Sequence, residues 1–403
     1  MNDFGDILRQ HRTAAGWSLR KLAECVRYDF GYLGQIERGS RRANADIVAA
    51  YDRALAVGGA LTKAFENRQA NETDMRRRVV LQAAGSLVAL PTADRLFGWE
   101  VLRHGLNAAM GVDVDEWSEI VSDYGRAYYQ QSQDRLMAQL SRDLTVLQHQ
   151  LTAADDRKRP VLLRAAGQLS VTVALSLVAS GHALLARRWW ISAQRAADES
   201  GDPDIRVLTR AWDVVNGCYD GRTPTAVLAL SETVLPLAQA SSAASCGLLA
   251  GRAQALSLAG RHGEAVATVR RLAEHVERLP AQVAEDVESL WGWPEHRLRH
   301  TESWVYTHSG DRQAALAAQD RALELYPASQ ARLRTQVQLH RATALIRDGD
   351  VPDGLRVAVD MVDRLPQEQR NELVYAVARQ AAAAVPERER HSPAYRDLVD
   401  RIR

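Results

Sequence analysis

Cysteine is nearly missing from this chain of 403 residues: the three present, Cys25, Cys218 and Cys246, are odd in number and far apart. That excludes a disulfide framework and a clustered zinc-ligand set, and it fits a reducing compartment, so the expected location is the cytoplasm. Long hydrophobic runs are missing as well. No stretch of about 18 or more consecutive apolar residues occurs, so neither a bilayer-spanning segment nor a membrane partner is expected. No apolar leader precedes Asp3 or Asp6. Arg76-Arg77-Arg78 followed by Val79-Val80-Leu81 and a small apolar run to Pro91 imitates a twin-arginine leader, but its internal position favours an amphipathic helix after a linker. A glycine-rich phosphate loop, a paired-histidine metalloprotease motif and a nucleophile elbow are all lacking, which leaves catalysis unsupported and no cofactor expected. His296, His300 and His308 lie close in sequence, and His296 and His300 share a helix face at i, i+4. They lack a third ligand and an orienting carboxylate, so groove-lining or solvent-facing histidines are expected, with no metal.

Neither sign of charge dominates overall, with 51 Lys+Arg against 50 Asp+Glu, but the distribution is uneven. Residues 1–68 hold 11 basic and 8 acidic side chains, a balance of +3, and the remainder carries −2. A small basic module on a neutral body is the implied layout. The 46% hydrophobic and 25% charged fractions are those of a globular chain, and the length predicts two or three domains.

The most informative stretch is Asp29-Phe30-Gly31-Tyr32-Leu33-Gly34-Gln35-Ile36-Glu37-Arg38-Gly39. Asp29 can cap a short helix, Leu33 and Ile36 give it one apolar face, and Gly39 supplies a residue able to stop it at φ > 0. The other face, Phe30, Gly31, Gly34 and Gln35, is left free to touch something. Upstream, Ser18 caps a second short helix over 18–26, and only Arg27-Tyr28 separates the two, which is the sequence form of a helix-turn-helix. A first helix is predicted over Phe4–Ala15 with Ile7, Leu8 and His11 on one side, a fourth over Ala45–Leu55, and a fifth from Ala60 to about Arg68.

The order of these elements, with Leu22-Ala23, Tyr32-Leu33 and Ile36-Glu37-Arg38-Gly39-Ser40-Arg41-Arg42, resembles the DNA-binding domain of the phage repressor and Cro family, also called the Xre family. The resemblance implies that Phe30, Gly31 and Gln35 face base edges in the major groove of double-stranded DNA, while Ser18, Arg20, Arg41 and Arg42 meet phosphates. Leu19 stands where that family usually has glutamine. Phe30 offers apolar contact only, and Gly31 offers close approach, so Gln35 alone can read adenine with two hydrogen bonds. Gly31 and Gly34 each cost the helix about 1 kcal/mol relative to alanine.

Residues 69–159 read as a polar hinge (69–74) and a connecting, dimerising region, helical over Arg76–Ala89 and Asp115–Ala153. The stripe Trp117, Ile120, Val121, Tyr124, Tyr128, Leu136, Leu140, Leu144, Leu147 and Leu151 predicts a core face, though a dimer seam would look the same. From Pro160 a period emerges: Gly181, Gly221, Gly260, Gly310 and Gly349 stand 40, 39, 50 and 39 residues apart, each after an apolar helix. Five residues beyond each comes a small residue, Ala186, Ala226, Ala265, Ala315 or Gly354, as needed where paired helices cross closely. The ten-residue excess falls near Trp291-Gly292-Trp293-Pro294, a predicted loop. About five helix pairs over 160–365, capped by helices 367–385 and 393–403, make residues 160–403 an α-solenoid.

The unit from Gly310 through Ala315 and Ala322 to Pro327 resembles a tetratricopeptide repeat. The expected fold is all-α: a five-helix helix-turn-helix domain followed by a tetratricopeptide-like solenoid. That layout is similar to the peptide-pheromone-sensing regulators of the Rgg and PlcR type, and to actinomycete regulators of unknown ligand, whose arginine-rich, lysine-poor composition it shares. The resemblance implies a ligand-responsive, homodimeric transcription regulator with a peptide or small-molecule effector in a groove lined by Asn216, Arg252, Gln254, His300, Trp304 and Gln338. A protein-interaction scaffold whose helix-turn-helix no longer reads DNA is the alternative.

Overall fold

The computed structural model describes residues 4–38, 41, 43–65 and 116–402, all of whose regular structure is helical. The chain divides into two compact units, 1–109 and 110–403. Gly39, Ser40, Arg42, the hinge and the leader-like run at 76–91 lie outside the described residues.

In the first unit, α1 (Phe4–Ala14) buries Phe4, Leu8 and Arg12 at successive helical turns, while Ile7 and His11 are only half-buried. This corrects the face expected for α1, and Gly5 is the cause. A Cβ there would stand 2.1 Å from the Ile36 carbonyl oxygen, so only glycine lets α1 lie this close to the end of α3 (Phe30–Glu37). α2 (Leu19–Val26) is capped by Ser18, whose hydroxyl accepts from the Lys21 N–H at 3.1 Å, and α3 by Asp29, which accepts from the Tyr32 N–H at 2.8 Å. α4 (Ala45–Leu55) follows Asn44, which caps it by accepting from the Ile47 N–H. Helical residues 60–65 are tied back by the Asp52 carboxylate, which accepts from Gly59 N–H at 2.8 Å, Thr62 N–H at 2.7 Å and the Thr62 hydroxyl at 2.8 Å. Burial pushes the Asp52 carboxyl up, but the hydrogen bonds from Thr62 and Gly59 outweigh it and hold the group below its usual range. Leu8, Leu22, Leu33, Ile36, Ile47, Val48 and Tyr51 form the core between these helices.

In the second unit the run expected as one helix from Asp115 to Ala153 is two, α5 (Glu116–Gln130) and α6 (Gln133–Ala153), broken at Gln131-Ser132. Trp117 Nε1 donates to Gln150 at 2.7 Å and the Tyr124 hydroxyl to Asp143 at 2.7 Å, fastening α5 to α6. Seven of the ten stripe residues are buried; Ile120, Leu144 and Leu151 are half-buried.

Six helix pairs follow: α7 (Arg159–Ala179) with α8 (Ala183–Ser200), α9 (Pro203–Gly217) with α10 (Pro224–Val234), and α11 (Ala243–Leu258) with α12 (His262–Val276). Then come α13 (Glu295–Ser309) with α14 (Arg312–Leu325), α15 (Ala331–Arg347) with α16 (Val351–Arg364), and α17 (Glu372–Ala384) with α18 (Pro393–Arg401). All five period glycines sit at positive φ, between 73° and 98°, where other residues are strained. Ala186, Ala265 and Ala315 are buried at their crossings, as the spacing predicts, but Ala226 is exposed. The turn after Gly221 is one residue longer, because Thr223 caps and Pro224 begins α10, so Val227 takes the crossing. The space comes from the other helix instead: a Cβ on Gly217 would stand 2.7 Å from the Val227 side chain.

The first helices of the pairs pack in succession, α7 to α9, α11, α13, α15 and α17, and α17 returns to α7, closing a ring. The predicted loop, with one helical turn at Ala281–Ala284, docks on α5: Leu290 N–H donates to Gly125 O at 2.9 Å and Trp291 Nε1 to Val121 O at 2.8 Å. α7 corrects the expectation that nothing here could span a bilayer. It is 21 residues long with a mean hydropathy of 1.7 over its best window, enough by length and composition, yet 72% of that window is buried inside the unit, the condition of a core helix.

Candidate nucleic-acid interface and interior cavity

The helix-turn-helix turns one face of α3 outward. Phe30 is 50% exposed, and Gly31 and Gln35 are exposed. Gly34, expected on that face, is instead buried: a Cβ there would meet Arg38 Nη1 at 3.2 Å and Leu19 Cδ2 at 3.5 Å. Leu19 of α2 thus lies over Gly34 and packs against the core of the domain. Ser18 is committed to its capping bond, with its hydroxyl at the exposed N-terminus of α2. Arg20 is exposed and its guanidinium lies 6.0 Å over the Phe30 ring. Arg41 is exposed as well, 4.5 Å over the Tyr32 ring, and its N–H donates to the Gln35 carbonyl. Phe30, Gly31, Gln35, Ser18, Arg20 and Arg41 are thus all accessible on α2, α3 and the loop after them. Arg42 lies outside the described residues.

Sequence reasoning missed the group that holds this face in place. Glu37 is 4% exposed and takes Arg12 in a fork, Nε to Oε1 and Nη2 to Oε2 both at 2.7 Å, while the Tyr51 hydroxyl donates to Oε1 at 3.2 Å. Arg12 Nη1 also donates to the Trp17 carbonyl at 2.7 Å. The hydrogen bond to Glu37 raises Arg12 above its ordinary value, and burial followed by the Glu37 charge raises Tyr51. One network thus joins α1, α3, α4 and the turn before α2. The signal was present: Leu33, Ile36 and Glu37 share one helix face, and a carboxylate on an apolar face requires a buried partner.

Inside the ring of the second unit lies a cavity of about 120 Å³. Asn216, Gln254 and His300, three of the six expected groove residues, line it. The other three do not. Arg252 turns toward α10, donating to Ser231 Oγ at 2.8 Å and pairing with Glu232 at 3.7 Å. Trp304 is wholly buried in the core against Tyr219, His308 and His340. Gln338 is half-buried away from the cavity, and Gln336, two residues earlier on α15, lines it instead, a register error within degenerate repeats. Arg297 and Trp212, absent from the expected set, also line it. Arg297 was findable, since it precedes His300 by three residues on one helix face.

The histidines are not solvent-facing, and among the described residues no three His, Cys, Asp or Glu side chains are placed to share a metal ion. His296, His300, His308 and His340 are all buried. His300 shares a 2.9 Å hydrogen bond with the Tyr326 hydroxyl, His340 one of 2.9 Å with Ser303, and His308 Nδ1 donates to Trp304 O at 2.9 Å. Burial, then the Arg297 charge, pushes His296 down to about 3 and His300 to about 4. Burial brings His308 to about 4 and His340 well below its ordinary value.

Comparison with known proteins bears on the first unit. The family model described as "Helix-turn-helix domain" matches residues 3–65. The "Transcriptional regulator ClgR" of Mycobacterium tuberculosis, in two strains, is 37% identical over 51 residues, which are 13% of this chain and 46% of that protein. The chain thus spans about half the length of the curated relatives it matches. No solved structure matches. Residues 3–65, with a capped α2 and α3 and one face of α3 turned outward, are a helix-turn-helix domain similar to that of a transcriptional regulator.

Proposed function

We propose that this protein is a cytoplasmic, sequence-specific DNA-binding transcription regulator that works as a homodimer, its tetratricopeptide-like second unit sensing a small-molecule or peptide effector. The observation that carries the reading is the accessible face of α3, flanked by Arg20 and Arg41, on a domain similar to that of a transcriptional regulator. In this reading α3 enters the major groove, with Phe30, Gly31 and Gln35 at base edges and Ser18, Arg20, Arg41 and Arg42 at phosphates. Two readers on half-sites about one helical turn apart multiply their affinities, which one small reader needs for tight specific binding. An effector in the cavity lined by Asn216, Gln254 and His300 alters DNA affinity only by binding two arrangements of the dimer unequally.

Selection of bound sequences from random duplexes tests the reading. The full chain should enrich a palindromic site, and Gln35→Ala should relax one position per half-site at a cost of about 1–3 kcal/mol there. An equal loss on every sequence removes Gln35 as a reader. The interaction-scaffold reading draws on the half-exposed Phe30 beside Gly31, a face poor in hydrogen-bonding readers; a selection that enriches nothing favours it.

A further inference from the structure

We propose that the cavity inside the helical ring binds a compact organic anion, a single carboxylate-sized head on an apolar or aromatic body, with Arg297 as its counter-charge. This deepens, and rests on, the effector-sensing reading above.

Charge at this wall is unbalanced. Arg297 is 9% exposed and lines the cavity, yet every acceptor it meets is neutral: the Tyr129 hydroxyl and Ser289 O at 3.0 Å from Nη2, and Leu290 O at 3.3 Å from both terminal nitrogens. Its guanidinium also lies 5.6 Å from the Trp212 ring and 5.5 Å from the Trp293 ring. Among the described residues no aspartate or glutamate lines the cavity. Elsewhere the molecule pairs such groups: Arg12 holds Glu37, and the largely buried Arg222 holds Asp213 at 2.7 Å and Asp220 at 2.9 Å. A guanidinium out of water without an anion is costly, and a fork-shaped donor matches a carboxylate best.

An unused donor lies among the same lining residues: Trp293 Nε1, on a side chain 5% exposed, is buried without a hydrogen-bond partner. Gln254 Oε1 is unpartnered too, but as an acceptor it calls for a donor and not for an anion. A native interior leaves few such atoms. Size is the remaining constraint: about 120 Å³, bounded by Trp212, Trp293 and Tyr326, is close to the roughly 150 Å³ that admits one benzene ring. One ring or a short branched chain fits this space, and several extended peptide residues do not.

Trp212 and Trp293 make tryptophan fluorescence of the full chain the readout, with benzoate as the probe and benzamide as its neutral isostere. Benzoate should bind saturably and about tenfold to a hundredfold tighter than benzamide, the margin of a charge-assisted hydrogen bond. Arg297→Gln should erase that margin by weakening benzoate alone, whereas Ala250→Met, which fills the cavity and leaves the charge, should weaken both. If Arg297→Gln does not fold by circular dichroism, the wild-type margin together with the weakening of both probes in Ala250→Met decides. Equal affinity for the two probes, no saturable benzoate binding at millimolar concentration, or a margin that survives in folded Arg297→Gln overturns the proposal. DNA binding by the full chain without benzoate is measured separately, so a failed regulator reading and a failed anion site give different results.

Discussion

Each unit of this protein buries an arginine to the same 9% exposure, and the two are treated in opposite ways. In the helix-turn-helix unit Arg12 is closed on both prongs by Glu37, and that pair, with Tyr51, links α1, α3 and α4. In the helical ring Arg297 meets carbonyls, a hydroxyl and ring faces, and among the described residues no carboxylate stands on the cavity wall. A small domain with a thin core uses the ion pair to fix one arrangement of its recognition helix. The ring keeps its own largely buried ion pair, Arg222 with Asp213 and Asp220, away from the cavity, and leaves Arg297 with neutral partners at its centre. Buried histidines follow the same division: the second unit buries His275, His296, His300, His308 and His340, and the described part of the first unit has only the half-buried His11.

The widest separation of the two units is therefore expected in acid. Burial holds His296, His300, His308 and His340 below the ordinary histidine value of 6.5, so between pH 6.5 and about 4 the unfolded chain binds protons that the folded ring does not. Stability is full above pH 6.5 and falls as pH drops, by about 1.4 kcal/mol per pH unit for each such group, several kcal/mol in all by pH 5. The first unit should hold. Its depressed carboxyl, Asp52, contributes stability that is complete above the ordinary aspartate value of 3.8 and is lost only as pH falls through a lower one. Urea unfolding at neutral pH and at pH 5, followed by pulsed hydrogen exchange read on peptides of each unit, checks this; equal loss in both units breaks the comparison.

Next in size is the cost of disturbing each arginine. Glu37→Ala leaves Arg12 buried and unpaired and should cost the first unit about 3–5 kcal/mol, most of it regained when Arg12→Met is added, since an apolar replacement of both partners strands nothing. Arg297→Gln strands no anion. It removes hydrogen bonds to Ser289 O and Leu290 O and should cost the ring about 1–3 kcal/mol. Denaturant midpoints by hydrogen exchange for the three variants give the order. A larger loss from Arg297→Gln than from Glu37→Ala would mean that the Arg297 charge belongs to the fold and not to a ligand.

The two units were also unequally legible from residues alone. Caps, periods and turn glycines are local chemistry, so Ser18 and Asp29 and the five glycines at positive φ stand where the spacing places them. What escaped was set by contacts between distant parts of the chain. Gly5 turns α1 onto Phe4 and Arg12, a one-residue longer turn at Thr223 moves a crossing from Ala226 to Val227, and Gln336 replaces Gln338 on the cavity wall. In α3 the outward positions follow from the helical period, whereas the burial of Gly34 depends on Leu19 of another helix. A ring closed by α17 meeting α7 puts a cavity where an open solenoid would have a groove, and nothing short of the fold's full curvature announces that closure.

The smallest effect on stability is expected where a cation serves a partner outside the molecule, and on the proposed function Arg41 is that case. It is exposed, its guanidinium rests on the Tyr32 ring at 4.5 Å, and no carboxylate pairs with it among the described residues. An exposed contact of this kind contributes at most about 0.5–1 kcal/mol, so Arg41→Gln should leave the unfolding midpoint of the first unit almost unmoved. On DNA the same substitution should lower affinity for every sequence alike and reduce the slope of log affinity against log salt by about 0.9, the share of one phosphate. Filter binding at several salt concentrations, with the selected site and an unrelated duplex, reads both quantities. If the slope were unchanged while affinity fell only on the selected site, Arg41 would be acting through the placement of Gln35, whose carbonyl its backbone N–H already holds, and the division between structural and recognition charges would have to be redrawn within α3 itself.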